Sequence, residues 1–275
     1  MHLEGKSVLI PGASRPFGRA IARKFGKQGA TLLCPVFDWP ESIEEMKSEF
    51  TSSGFDFHIK QCDLQIKEQV MELAEFARGI RPQIDFLINN IERGGMPVVH
   101  GGYDLPHNKD QWELEFNTTV KAKWLLYNHF LPFISRDYKA AVVNISSIAG
   151  SIGRNGPGAF FFSDGYSAAC RAISSFTETW AREASPEIRV NELMVGLIQH
   201  RHGEQTRGWT ALTAKEQQRI RNAILLGRTG LPDEIADAVY FLAVQATYMT
   251  GAVLRIDGGL ALGKDKVSPM PPGIL

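Results

Sequence analysis

The chain has 275 residues, with 30 Lys and Arg against 30 Asp and Glu, so no net field draws it to nucleic acid or an anionic membrane. Its 44% hydrophobic residues and 26 glycines match an ordinary α/β composition, and a core of this size closes without staples. Cys34, Cys62 and Cys170 form no Cys-x-x-Cys pair, which speaks against a disulfide framework or structural zinc, and no metal-ligand spacing exists elsewhere. No apolar run approaches a membrane span, and residues 1–6 lead into an apolar strand without a signal-peptide layout. The expected compartment is the reducing cytoplasm.

Short aliphatic runs at 8–10, 31–34, 57–62, 86–88, 141–145, 190–194 and 253–256 read as strands. Segments of helical period separate them, which predicts βαβ units and one parallel sheet. Gly18, Ile21, Ala22 and Phe25 make the stripe of a helix packed on that sheet. Residues 117–135 read as a long helix ending near Leu131-Pro132, and Ala169, Ile173, Phe176 and Trp180 mark another. Three long loops, 91–108, 150–165 and 198–213, are placed to carry function. The second holds Phe160-Phe161-Phe162, an apolar wall or plug; the third holds His200-Arg201-His202, a solvated loop or a contact for an acidic group. One domain is expected over 1–262, with a lid around 198–225 and a Pro-rich tail at 263–275.

The turn Pro11-Gly12-Ala13-Ser14-Arg15-Pro16-Phe17-Gly18 joins the first strand to the first helix, where a dinucleotide-binding turn belongs. Gly12 and Gly18 take the tight-turn and helix-packing places. Pro16 takes the place where backbone meets pyrophosphate, and proline has no N–H to offer. Proline also suits a first helical turn. Two readings stay open: other amides and the helix dipole hold a dinucleotide, or binding is weakened.

Further along stand Cys62-Asp63-Leu64, Asn89-Asn90-Ile91-Glu92, Phe116-Asn117-Thr118-Thr119 and Val143-Asn144-Ile145-Ser146-Ser147-Ile148-Ala149-Gly150. Gly165-Tyr166-Ser167-Ala168-Ala169-Cys170, Ile188-Arg189-Val190-Asn191 with Val195-Gly196, and Gly227 to Ala236 follow, then Thr250-Gly251 and Ile256 to Gly259. Together with the glycine turn these resemble the short-chain dehydrogenase/reductase family over about residues 3–262. The resemblance implies a single-domain Rossmann-like α/β fold, a doubly wound parallel sheet with helices on both faces. It also implies an NAD(P)(H)-dependent oxidoreductase acting on a carbonyl or alcohol of a small-molecule substrate, and assembly as a homodimer or homotetramer.

Residue by residue, the resemblance assigns catalysis to Ser147, Tyr166 and Asn117, and puts Cys170 where the family has a lysine. That lysine holds the cofactor ribose and lowers the pKa of the phenol from about 10; a neutral thiol does neither. Lys121, one turn after Asn117, is a candidate for a relocated cation. The cofactor contacts implied are Gly12, Ser14, Arg15, Phe17, Gly18, Phe37, Asp63, Leu64, Asn90 and Ile198. Arg15 favours NADP(H) through a 2′-phosphate, whereas Asp38 would favour NAD(H). Ile91-Glu92 replace the family's small residues, and the 150–165 loop lengthens the path from Ser147 to Tyr166. These departures keep two alternatives open, a non-redox lyase or isomerase and an inactive binding or scaffold subunit.

Overall fold

The computed structural model describes residues 2–37, 39–91, 103–106, 108–137, 139–156, 159, 162–200, 203–204, 207–263, 265, 267–270 and 273. Seven parallel strands form one sheet: β1 (Ser7–Leu9), β2 (Thr31–Val36), β3 (Phe57–Gln61), β4 (Phe86–Asn89), β5 (Ala140–Ser147), β6 (Ile188–Val195) and β7 (Val253–Ile256). Their spatial order is β3-β2-β1-β4-β5-β6-β7. The order reverses direction between β1 and β4, so a crevice opens at the carboxyl ends of those strands, where ligands of such sheets bind. All seven expected strands are present, and β5 and β6 extend beyond their expected bounds at both ends.

Helices cover both faces: α1 (Pro16–Gly26), α2 (Pro40–Ser52), α3 (Lys67–Ile80), α4 (Gln111–Phe116), α5 (Ala122–Phe130), the short α6 (Ala149–Ile152), α7 (Asp164–Ala184), the single turn α8 (Arg207–Thr210), α9 (Ala214–Ala223) and α10 (Pro232–Tyr240). Alternate residues of each central strand feed two cores. Val143, Ile145 and Leu193 face α1 and α10, while Val142 and Val190 face α3, α5 and α7. A third cluster at the carboxyl edge joins Tyr166 and Cys170 to Trp209, Leu212 and Ile220 of the 198–225 segment. None of the helices among the described residues is long and apolar enough to cross a membrane.

Asn117 does not begin a helix. The helix starts six residues earlier at Gln111, and a π turn over Asn117–Lys121 joins α4 to α5. The Ala122 amide donates to the Asn117 carbonyl, five residues back. Such π turns are recurrent at functional sites because they rotate the side chains beyond them.

The Arg-Val-Asn signature on β6 works in the fold. Buried Arg189 donates to the carbonyls of Leu242, Ala243 and Ala246 at 2.6–2.8 Å, capping the helical run that follows α10. Asn191 donates to the Met249 carbonyl at 2.7 Å and accepts from the Ala252 amide at 3.1 Å, fixing the entry to β7.

Candidate active site

The glycine turn is closely packed. Gly12 sits at φ 69°, in the left-handed region, and a Cβ there would lie 3.1 Å from the Asn90 carbonyl. At Gly18 an added Cβ would lie 2.2 Å from the Gly12 carbonyl oxygen, so only glycine lets α1 approach. Asn90 closes the turn from β4 by donating to the Pro11 carbonyl at 3.2 Å. Pro16 occupies the first turn of α1, where its missing N–H costs nothing. The Arg19 guanidinium bridges the Ser14 and Ser42 carbonyls at 2.6 and 2.7 Å, tying the turn to α2.

Beside the turn, Arg15 lies 4.2 Å over the Trp39 ring and donates to Ser42 Oγ at 3.1 Å. Phe37, at the end of β2, is half exposed. Asp38 lies outside the described residues. Asp63 accepts from the Gln65 amide at 3.0 Å, holding the loop after β3. Phe17, Leu64 and Ile198 place their side chains in the cores.

Ser147 ends β5 and is buried, and its Oγ accepts from the Ala149 amide at 3.2 Å. Gly150 follows; a Cβ there would lie 2.8 Å from the Arg171 amide nitrogen, so this loop presses directly on α7 beside Cys170. Tyr166 stands on the first turn of α7 and Cys170 one turn deeper, both buried in the cluster that holds Ile148, Ala149, Phe162, Met194 and Leu197. The Phe162 ring is 6.2 Å from that of Tyr166; Phe160 and Phe161 lie outside the described residues. The long loop therefore returns Tyr166 to the serine segment. The tyrosine is only 5% exposed, roofed by Trp209 and Leu212. Lys121 is exposed at the end of the π turn.

Behind the site runs a buried polar row that sequence reasoning missed. Asn89, Asn144 and Glu192 are in register across β4, β5 and β6 and share one face. Asn89 donates to Asn144 Oδ1 at 2.8 Å, and Asn144 donates to Thr177 Oγ1 on α7 at 2.9 Å. Ser146, next to Ser147, donates to Glu192 Oε1. Burial pushes the Glu192 carboxyl above its ordinary range, opposed by the Ser146 and Ser174 hydroxyls and by the charges of Lys123 and Arg171. Lys123 and Glu192 are both fully buried. Their signal is present in the sequence: Lys123 falls on the stripe of Leu126 and Phe130, and Glu192 interrupts an apolar strand.

A family model described as enoyl-(acyl carrier protein) reductase matches residues 12–261. The chain belongs to the short-chain dehydrogenase/reductase family. The 3-oxoacyl-(acyl-carrier-protein) reductase FabG of Thermotoga maritima is 29% identical over 270 residues, covering 95% of this chain and all of that one. Nodulation protein G of Rhizobium meliloti is 27% identical over 263 residues, covering 95% and 99%. Among solved structures, a short-chain dehydrogenase/reductase from Serratia marcescens superposes with a TM-score of 0.80 at 22% identity, covering 95% of this chain and all of that one. One from Brucella melitensis gives 0.76 at 22% identity, covering 94% and 99%. This is a family of oxidoreductases.

Proposed function

We propose that this chain is an NADP(H)-dependent oxidoreductase that interconverts a carbonyl and an alcohol, with Tyr166 as proton donor and acceptor. The observation that carries the reading is the return of Tyr166, despite its lengthened loop, to the cluster formed by the residues after Ser147. Asn117 sits at the π turn of the adjoining helix.

The turn fits the dinucleotide-binding kind, because Gly12 and Gly18 let α1 and Asn90 pack directly on it, as such a turn requires. Loss of the Pro16 donor removes one first-turn amide of the 11-residue α1 and leaves the others and the helix dipole to meet a phosphate. Arg15, held by Trp39 and Ser42, is suited to a 2′-phosphate, which favours NADP(H) over NAD(H). When bound, the dinucleotide would supply or accept the hydride. Ser147 would hold the reacting oxygen by a hydrogen bond, and Tyr166 would pass its phenolic proton to that oxygen as negative charge develops. Phe162, Leu197, Trp209 and Leu212 exclude water and suit a substrate with an apolar body. The printed activities of the FabG relatives put 3-oxoacyl thioesters into the substrate panel.

Two measurements test the reading together. Titration with NADPH and NADH reads binding, and carbonyl-dependent NADPH oxidation across that panel reads chemistry. The expected result is submillimolar NADPH binding with turnover. Failure to bind either dinucleotide at millimolar concentration overturns the reading, and binding with a non-redox conversion transfers Tyr166 to acid–base work in a lyase or isomerase.

A further inference from the structure

The first turn of α7 rests on a buried carboxylate, Glu115. Ser163 caps α7 by accepting from the Tyr166 amide at 3.1 Å, and its hydroxyl donates to Glu115 Oε1 at 2.7 Å. Tyr103, from the loop after β4, donates to Glu115 Oε2 at 2.8 Å and accepts from the Gly165 amide at 2.8 Å. A Cβ on Gly165 would lie 2.6 Å from Glu115 Oε2 and 2.8 Å from the Tyr103 hydroxyl, so the glycine before Tyr166 is needed for this contact. Three chain segments far apart in sequence thus meet within one residue of the tyrosine.

We propose that Glu115 is a positioning residue, whose carboxylate clasps Tyr103 to the first turn of α7 and so fixes where Tyr166 stands. The inference rests on the oxidoreductase reading given above. Cys170, one turn on from Tyr166, offers no charge to this part of the helix. The remaining handle is the N-terminal end, where the 21-residue helix carries its positive pole and an anion is favoured.

The ionised carboxylate accepts from both hydroxyls at once, whereas protonation turns one of its oxygens into a donor and forces the facing hydroxyl to reorient. The groups around it are the Tyr103 phenol, the Ser163 hydroxyl, the Tyr166 amide and Asp164, which in turn pairs with Arg154 at 3.7 Å. Burial raises the Glu115 carboxyl most, and those hydrogen bonds oppose it. An acid raised on folding binds more protons in the native state, so stability falls as pH rises from the ordinary glutamate value through the folded one. The ionised clasp therefore costs stability at neutral pH and is kept for positioning.

The test compares Glu115→Gln and Tyr103→Phe with the wild type by kcat/KM against pH, thermal midpoint and residue-resolved amide exchange. Glu115→Gln is expected to keep or raise the midpoint while kcat/KM falls about tenfold or more, the scale of a lost charge-assisted hydrogen bond. The acid limb of its pH profile is expected to vanish. Tyr103→Phe is expected to speed exchange at the Gly165 amide while the Tyr166 amide, capped by Ser163, stays protected. A Glu115→Gln variant that loses midpoint and activity in proportion, with an unchanged acid limb, overturns the proposal. So does unchanged Gly165 exchange in Tyr103→Phe, which needs no turnover and therefore separates this proposal from the oxidoreductase reading.

Discussion

Cys170 is fully buried one turn beneath Tyr166, in an apolar cluster that excludes solvent. A lysine introduced there would have Tyr166 on its own helix face and the glycine turn across the crevice. Cys170→Lys is expected to raise kcat/KM about tenfold or more, since a nearby cation favours the phenolate, and lower activity than wild type would mean that the neutral thiol is itself required. Gly18→Ala is expected to abolish dinucleotide binding in a titration, because its Cβ has 2.2 Å to the Gly12 carbonyl; unaltered affinity would show that the turn is not the cofactor cradle. At this scale much of the site was legible. The glycines fall in the turn before α1, Ser147 at the end of β5 and Tyr166 in the first turn of α7, because a motif encodes a local turn or strand end. Lys121 is exposed at the end of the π turn over Asn117–Lys121, and nothing local in the sequence fixes that turn.

The elements behind the site carry two buried titratable groups that interact through their charges. Lys123 on α5 and Glu192 on β6 are fully buried between sheet and helices, and Ser146 ties the glutamate to the strand that ends in Ser147. Lys123→Met removes a charge that opposes the burial of the Glu192 carboxyl, so it is expected to lower stability in urea unfolding. The double variant Lys123→Met with Glu192→Leu is expected to recover most of that loss, and equal losses in single and double variants would show that the two residues do not act as a pair. Strand existence was readable from apolar runs, since each is long enough to cross the core. The pair was not, because register across β4, β5 and β6 and the facing of α5 decide it, and both are long-range.

For the whole molecule, the sheet order places the glycine turn, the serine strand end and the tyrosine helix at one carboxyl edge. That juxtaposition was legible only through the family pattern, because no local signal reports which strands are neighbours. Trp124 is 46% exposed on α5, which fits the proposed dimer or tetramer. Light scattering should show an oligomer that Trp124→Glu dissociates, and a monomeric wild type would remove that proposal. Arg228 donates to both Glu234 oxygens and holds that carboxyl down to about 2. The depressed group contributes stability above the ordinary glutamate value and loses it as pH falls toward 2. Glu234→Gln should therefore flatten the acid side of the stability curve between those limits.

In the proposed reaction, Tyr166 moves the proton in an NADPH-linked carbonyl reduction. Steady-state NADPH oxidation by the wild type and by Tyr166→Phe, each shown folded by its thermal midpoint, tests it most directly. Wild-type turnover is expected, with a loss of about 100-fold to 10,000-fold in the variant, the range of general acid catalysis. Equal kcat/KM in the two proteins would contradict it.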